Sequence, residues 1–300
     1  MRIFTAAAEE QSFSAAGRRL HRAQSVVSQA VANLENQLGV ELFRRGGRYP
    51  ELTAAGNLLL ADAKAMLTGM AMMKARAHGM ASGLESELAV VVDVMFPMSI
   101  LTQAAAAFGN KFPLTPLRLY VEALGGVAQA VLKQQCQIGV MGTLPLVTPD
   151  LLTERLFAVD IVFVAAPSHP LSHQNAPLSE CDLARHTQLV LTDRTELSSG
   201  REFKVLSPRS WRLADLGAKH AFLLAGLGWG GMPVEMVERD LREGRLNELY
   251  VLDMPMREQM AMSATYRLDA PPGPAGRWFV EQLKLLAGTV PATTKPGDAT

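Results

Sequence analysis

The chain changes texture at Glu87. Before that point no Val/Ile run suited to a buried strand occurs, and the sequence reads as short helices broken at Gln11-Ser12, His21-Arg22 and Gly39. Beyond it, Leu88 to Val94, Leu117 to Glu122, Ile138 to Met141, Asp160 to Ala166 and Gln188 to Leu191 are short apolar runs of the kind buried on both faces of a sheet. Helical stretches such as Ser99 to Phe112 and Gly126 to Gln135 lie between several of them, which predicts βαβ units around a largely parallel sheet. With 300 residues and 48% apolar content, the chain exceeds what a single core usually serves. A helical unit followed by an α/β unit is therefore expected.

Lysine plus arginine and aspartate plus glutamate each number 29, so the informative quantity is local charge. Between Ser14 and Pro50 the arginines at 18, 19, 22, 44, 45 and 48 oppose Glu35 and Glu41, six against two, a local charge of +4. The two cysteines, Cys136 and Cys181, fit no metal-ligand spacing and are too few for a disulfide framework. No apolar run is long enough to span a membrane, and MRIFTAAAEEQ carries acids where a signal peptide carries its apolar stretch, so a cytoplasmic protein is expected.

Leu59, Ala63, Met66, Met70, Met73, Ala77 and Met80 are spaced alternately by four and three residues, an a/d heptad seam. So narrow a stripe on one long helix suits pairing with a second helix better than burial against a globular core. Gly79 and Gly83 end this helix, while the stretch from Gly288 is polar, contains proline and is expected to be a disordered tail.

Nearer the N-terminus, Ser14 is expected to cap a helix over Ala15 to Leu20, and after a turn at His21 to Ala23 a second helix runs from Gln24 to Leu38. Val27, Val31, Leu34 and Leu38 would form its buried stripe. Its other face offers Gln24, Ser25, Ser28, Gln29 and Asn33 to base edges, the two glutamines being suited to the paired acceptor and donor of adenine. Leu42 to Thr53 then reads as a two-stranded wing turning at Gly46-Gly47, with Arg44, Arg45 and Arg48 placed for phosphate. Arg22 and Thr53 complete the DNA-contact set.

These residues match a known pattern. Ser12-Phe13-Ser14-Ala15-Ala16, Leu20, Gln24, Ser28, Leu34-Glu35, Leu38-Gly39, Leu42-Phe43, Arg45, Leu52-Thr53 and Ala55-Gly56 resemble the DNA-binding signature of LysR-type transcriptional regulators. The resemblance extends to a linker helix and to an alternating α/β remainder. It implies a winged helix-turn-helix at 1–57, a dimerisation helix at 58–83, a two-lobed α/β effector-binding domain at 84–287 that is similar to a periplasmic binding protein, and a tail at 288–300. It also implies a homodimer or dimer of dimers on double-stranded promoter DNA, a small-molecule effector, RNA polymerase as a further partner, and no cofactor. Two departures stand out. Met1 to Phe4 already reads as helix interior, where the family begins several residues earlier, and Ala23 and Ser25 replace the Ser and Pro frequent at the recognition-helix start.

In such a domain the ligand lies beyond the carboxyl ends of the strands. Those ends supply Asp93, Met95, Phe96, Pro97 and Met98 after the first strand, Glu122, Leu124 and Gly125 after the second, Thr143 after the third, and Thr192, Arg194 and Trp229 from the other lobe. Asp93 would meet a cationic or hydroxylated effector, or serve as a cap or ion-pair partner within the fold. Thr192, Arg194 and Arg201 suit an anionic one. Trp229 would stack on a ligand or pack between lobes. The glycines from Gly226 to Gly231 lack the Lys-Ser/Thr of a phosphate loop and the spacing of a dinucleotide fingerprint. With no nucleophile elbow, metal cluster or Rossmann motif, an enzyme is not expected, and a solute carrier would leave the basic N-terminal unit unexplained.

Overall fold

A computed structural model describes residues 1–44, 50–81, 83–142, 149–174, 177–192, 194–195, 197 and 204–289, with the backbone alone at 75, 76, 78, 80 and 289. The chain divides into two compact units, Met1–Ala81 and Ser82–Thr300.

The first unit holds α1 (Arg2–Glu10), α2 (Phe13–Leu20), α3 (Gln24–Leu38), the antiparallel pair β1 (Phe43–Arg44) and β2 (Glu51–Leu52), and α4 (Ala54–Ala81). Ser12, rather than the expected Ser14, caps α2: its hydroxyl accepts from the Ala15 N–H at 3.2 Å, and the helix starts two residues early. Ser14 instead accepts from Arg18. Between α2 and α3 the Arg22 N–H donates to the Gly17 carbonyl at 2.8 Å. A Cβ on Gly17 would lie 2.7 Å from the Arg22 carbonyl oxygen, so this tight turn requires glycine.

The inward stripe of α3 differs from expectation at its end. Val27 and Val31 are buried, but Leu38 is 41% exposed and Glu35 is buried in its place. The Glu35 carboxylate accepts from the N–H groups of Leu42 and Phe43, which brings the chain back beneath α3. Phe43 thereby meets the edges of Phe4 and Phe13, with centroids at 5.9 and 5.2 Å. Thr53 caps α4, accepting from the Gly56 N–H and donating to the Glu41 carbonyl, so this helix begins at Ala54, ahead of the expected 58. Leu59 packs against the same core and Ala63 is buried in it. The exposed part of the heptad stripe starts one turn later, where Met66, Met70 and Met73 are 60%, 41% and 65% exposed.

In the second unit the described elements are β3 (Leu88–Asp93), α5 (Met98–Lys111), β4 (Leu117–Glu122), α6 (Gly125–Leu132), β5 (Ile138–Gly142), β6 (Leu151–Ala165), a 3-10 turn (Pro170–His173), α7 (Glu180–Ala184), β7 (Gln188–Leu191), β8 (Ser210–Leu213), α8 (Leu216–Leu224), β9 (Trp229–Pro233), α9 (Val234–Arg242), β10 (Asn247–Glu248), β11 (Glu258–Arg267) and α10 (Pro274–Thr289). The nine described strands join one sheet in the order β4-β3-β5-β11-β6-β9-β7-β8, with β10 on β6. Its outer parts are parallel, β4-β3-β5 on one side and β9-β7-β8 on the other. At the centre, β6 and β11 run antiparallel to each other and to their outer neighbours.

The sheet is thus two parallel lobes joined by two long crossover strands. Each lobe is covered on both faces: α5 and α10 shelter Val90, Val92, Ile138 and Phe279 on one side of the first, and α6 shelters Val91, Val127 and Val131 on the other. The sequence pattern resolves β6 only over Asp160 to Ala166. Its first half alternates exposed and half-buried residues, as expected of a strand covered on one face, and so lacks the continuous apolar run. α10 carries through Gly288 and Thr289, two residues into the expected tail; residues 290–300 lie outside those described.

Candidate nucleic-acid interface and effector cleft

α3 presents its N-terminal turn to solvent. Arg22, Gln24 and Ser25 are exposed, Ser28 is half-buried, and Gln29 and Asn33 are exposed on the same helix. The Gln29 amide donates to Asn33 Oδ1 at 2.9 Å, which orients one glutamine, while Gln24 and Ser25 make no side-chain hydrogen bond among the described residues. Ala23 provides no side-chain cap, so the first N–H groups of α3 remain open to an anion at the positive end of the helix.

Charge is more finely divided than a count of +4 suggests. Arg19 pairs with Glu9 and Glu10 at 2.8 and 3.2 Å, and Lys64 also reaches Glu9. Arg19 is thereby compensated within the unit, and the carboxylate of Glu9 is held below its ordinary range first by Arg19 and then by Lys64. Arg22 and Arg44 remain exposed. Arg45, Arg48 and the Gly46-Gly47 turn lie outside the described residues. Thr53, expected at DNA, has its hydroxyl engaged by Glu41 and Gly56, because a helix start beside the wing needs a cap.

In the second unit Asp93 ends β3 at 3% exposure, and its carboxylate accepts from the backbone N–H groups of Met95, at 2.8 Å, and Leu124. Burial pushes its pKa up to about 6 despite these bonds. Leu124 sits at φ +47°, ψ −119°, a conformation that costs a leucine about 1–3 kcal/mol and persists only where the surroundings enforce it. Asp93 therefore latches the carboxyl ends of β3 and β4 together, the role of a partner within the fold.

The other expected cleft residues separate into two groups. Met98 is exposed at the start of α5, Met95, Pro97 and Leu124 are half-buried, Gly125 opens α6 below the surface, and Glu122 is exposed at the end of β4. Thr192 is half-buried at the end of β7, its N–H donating to the Leu213 carbonyl, and Arg194 is exposed. Two aromatics belong elsewhere. Phe96 is 2% exposed and packs edge-on against Phe157 in the first lobe. Trp229 is fully buried against Phe163, with its Nε1–H donating to the His186 carbonyl. Neither ring presents a face to a ligand, because both lie inside sheet-helix layers that the sequence pattern could not locate. Thr143 lies outside the described residues.

The glycines of β9 permit a close approach to β7: a Cβ on Gly230 would lie 2.6 Å from the Leu189 carbonyl oxygen. Cys136 is buried, and burial pushes its thiol up to about 11, whereas Cys181 is exposed on α7. Among the described residues no group of three His, Cys, Asp or Glu could hold a metal ion.

Two polar residues take places that the sequence pattern does not assign to them, Glu35 on α3 and Lys219 on α8. Lys219 is 3% exposed and donates to the Gly231 carbonyl at 2.7 Å. A detectable signal exists in each case, a charged residue standing where helical spacing calls for an apolar one.

A model of bacterial regulatory helix-turn-helix proteins of the lysR family matches residues 1–57, and one of the LysR substrate binding domain matches 81–287. The chain is 28% identical over 297 residues to the probable HTH-type transcriptional regulator YhaJ of Escherichia coli, covering 95% of each. It is 30% identical over 250 residues to the HTH-type transcriptional activator AllS of Klebsiella pneumoniae, 82% of this chain and 92% of that one. Among solved structures, a mutant of OxyR from Corynebacterium glutamicum superposes with a TM-score of 0.58 at 23% identity, covering 98% of this chain and 96% of that one. The LysR family regulator CbnR does so with 0.51 at 23% identity, covering 94% and 97%. At these identities the two structures show a shared fold.

Proposed function

Because the chain belongs to the LysR family of bacterial transcriptional regulators, with its helix-turn-helix and effector-binding domains both present, we propose that it binds promoter DNA as a homodimer and alters transcription when a small molecule enters the cleft between its two α/β lobes. The observation that carries the DNA reading is the exposed, uncapped first turn of α3. Gln24 and Ser25 are exposed there beside Arg22, while Val27 and Val31 further along the helix are buried. In this reading Gln24, Ser28 and Gln29 read base edges, and Arg22, Arg44, Arg45 and Arg48 hold phosphates.

Met66, Met70 and Met73 on the 28-residue α4 support pairing of two copies, since one protomer leaves these large apolar side chains in water. A dimer of dimers and contact with RNA polymerase extend the same reading. No helix among the described residues is long and apolar enough to cross a membrane, and we place the protein in the cytoplasm as a binding protein without a catalytic step.

The test is fluorescence anisotropy with the duplex upstream of the protein's own gene and with random duplex, over a range of salt. Specific binding that weakens as salt rises is expected. Equal affinity for both duplexes at every salt concentration would overturn the reading.

A further inference from the structure

On α8, Leu216, Lys219 and Leu223 fall at the spacing that points one helical face inward, and all three are buried. A lysine in the middle of such a stripe requires an explanation, because an ammonium taken from water without an anionic partner is strongly disfavoured. Its Nζ makes one hydrogen bond, to the Gly231 carbonyl oxygen. No carboxylate pairs with it among the described residues. Burial accordingly pushes the amine down to about 8, with no neighbouring charge contributing. At least two of its three donor positions are left without a protein acceptor among the described residues.

The position of that amine is informative. Gly231 follows the point where β9 pairs with β7, and it leads into Met232 and Pro233 at the carboxyl end of β9. Met232 and Leu216 belong to the same apolar cluster as Val94 and Met95, which follow β3 in the other lobe. Lys219 thus holds its amine on β9 two residues before that strand's carboxyl end, the side of an α/β sheet on which ligands bind.

We propose that Lys219 is the anion-recognising group of the effector cleft, and that the effector is a small organic monocarboxylate with an apolar body. The inference rests on the regulator reading above and specifies its ligand. A single ammonium on Gly231, next in the chain to the apolar Met232 and one helical turn from Leu216, matches one carboxylate and an adjoining apolar surface. A phosphate dianion would call for more donors than this amine supplies.

The experiment follows the thermal midpoint of the full-length protein, at fixed ionic strength, against acetate, pyruvate and benzoate, their neutral amides, and inorganic phosphate. At least one monocarboxylate is expected to raise the midpoint saturably by a few degrees, its amide and phosphate leaving it unchanged. Lys219→Met, relieved of a buried charge, is expected to melt higher without ligand at pH 7 yet to lose the response; Lys219→Arg retains part of it. A wild type indifferent to all three carboxylates, an equal response to amides or to phosphate, or a full response in Lys219→Met would each overturn the proposal. Binding to upstream DNA is measured on the same preparations. Failure there counts against the regulator reading, whereas carboxylate indifference with intact DNA binding counts against this inference alone.

Discussion

Glu35 Oε1 accepts the Leu42 N–H at 2.8 Å and, from the same oxygen, the neighbouring Phe43 N–H at 3.1 Å, so the end of α3 and the start of the wing are joined by one buried carboxylate. Counted from sequence, Glu35 is a negative charge opposing the arginines. In the fold it is an acceptor for two backbone groups that a two-residue β1 leaves unpaired within its own ladder. Glu35→Ala would strand both donors in the core and is expected to cost about 2–3 kcal/mol. Urea unfolding of the full chain checks the loss, and an unchanged midpoint would show that water replaces the carboxylate.

Base reading and phosphate binding separate by their salt dependence. Gln24→Ala is expected to reduce discrimination between the upstream duplex and random duplex by about 1–3 kcal/mol, with the salt slope retained. Arg22→Ala and Arg44→Ala are expected to weaken both duplexes alike and to flatten the slope by about 0.9 for each phosphate that is no longer neutralised. Anisotropy titrations at several salt concentrations distinguish the two patterns, and identical behaviour of the glutamine and arginine variants would contradict the assignment.

Met70 lies on the exposed stripe of α4, clear of the helix-turn-helix core that takes up Leu59 and Ala63. Met70→Asp is expected to shift the protein toward monomer in sedimentation velocity. Because the side chain contributes nothing to the described protomer core, its melting as a monomer should be little altered. Sedimentation identical to wild type would place the dimer interface elsewhere.

Asp93 makes stability depend on pH in a defined direction. Its folded pKa of about 6 lies above the ordinary 3.8, so the folded chain holds this proton more tightly than the unfolded chain does. The contribution is fully present below pH 3.8 and is lost as pH rises through 6, a change of about 3 kcal/mol. Asp93→Asn, neutral throughout but still able to accept from Met95 and Leu124, should flatten that part of the profile. Denaturant midpoints between about pH 4 and 8 provide the measurement, and a variant profile parallel to wild type would exclude Asp93 as the source.

Much of the architecture was legible in the chain. Gln24 to Leu38 as one helix, the pairing of Phe43-Arg44 with Glu51-Leu52, and the strands at Leu88, Leu117, Ile138 and Gln188 follow from periodicity and turn chemistry, which act over a few residues. The strands missed are short or have a diluted pattern: the half-exposed beginning of β6, the half-exposed β8, the glycine-rich β9, the two-residue β10 and the polar β11. Their pairing is decided by partners far away along the chain, β6 with β9 and β11, and β11 with β5.

The same division runs through the sites. Sequence alone determined the polar face of α3, the arginines around it and the methionine stripe of α4, because spacing on one helix says which side chains share a face. Only the tertiary structure decided that Glu35 supports the wing, that Thr53 is a cap, that Asp93 ties two strand ends, that Phe96 and Trp229 are core, and that Lys219 is buried on the Gly231 carbonyl. Burial and hydrogen-bond partnership belong to pairs of segments that meet only when the chain folds. Residue type and local spacing do not contain them.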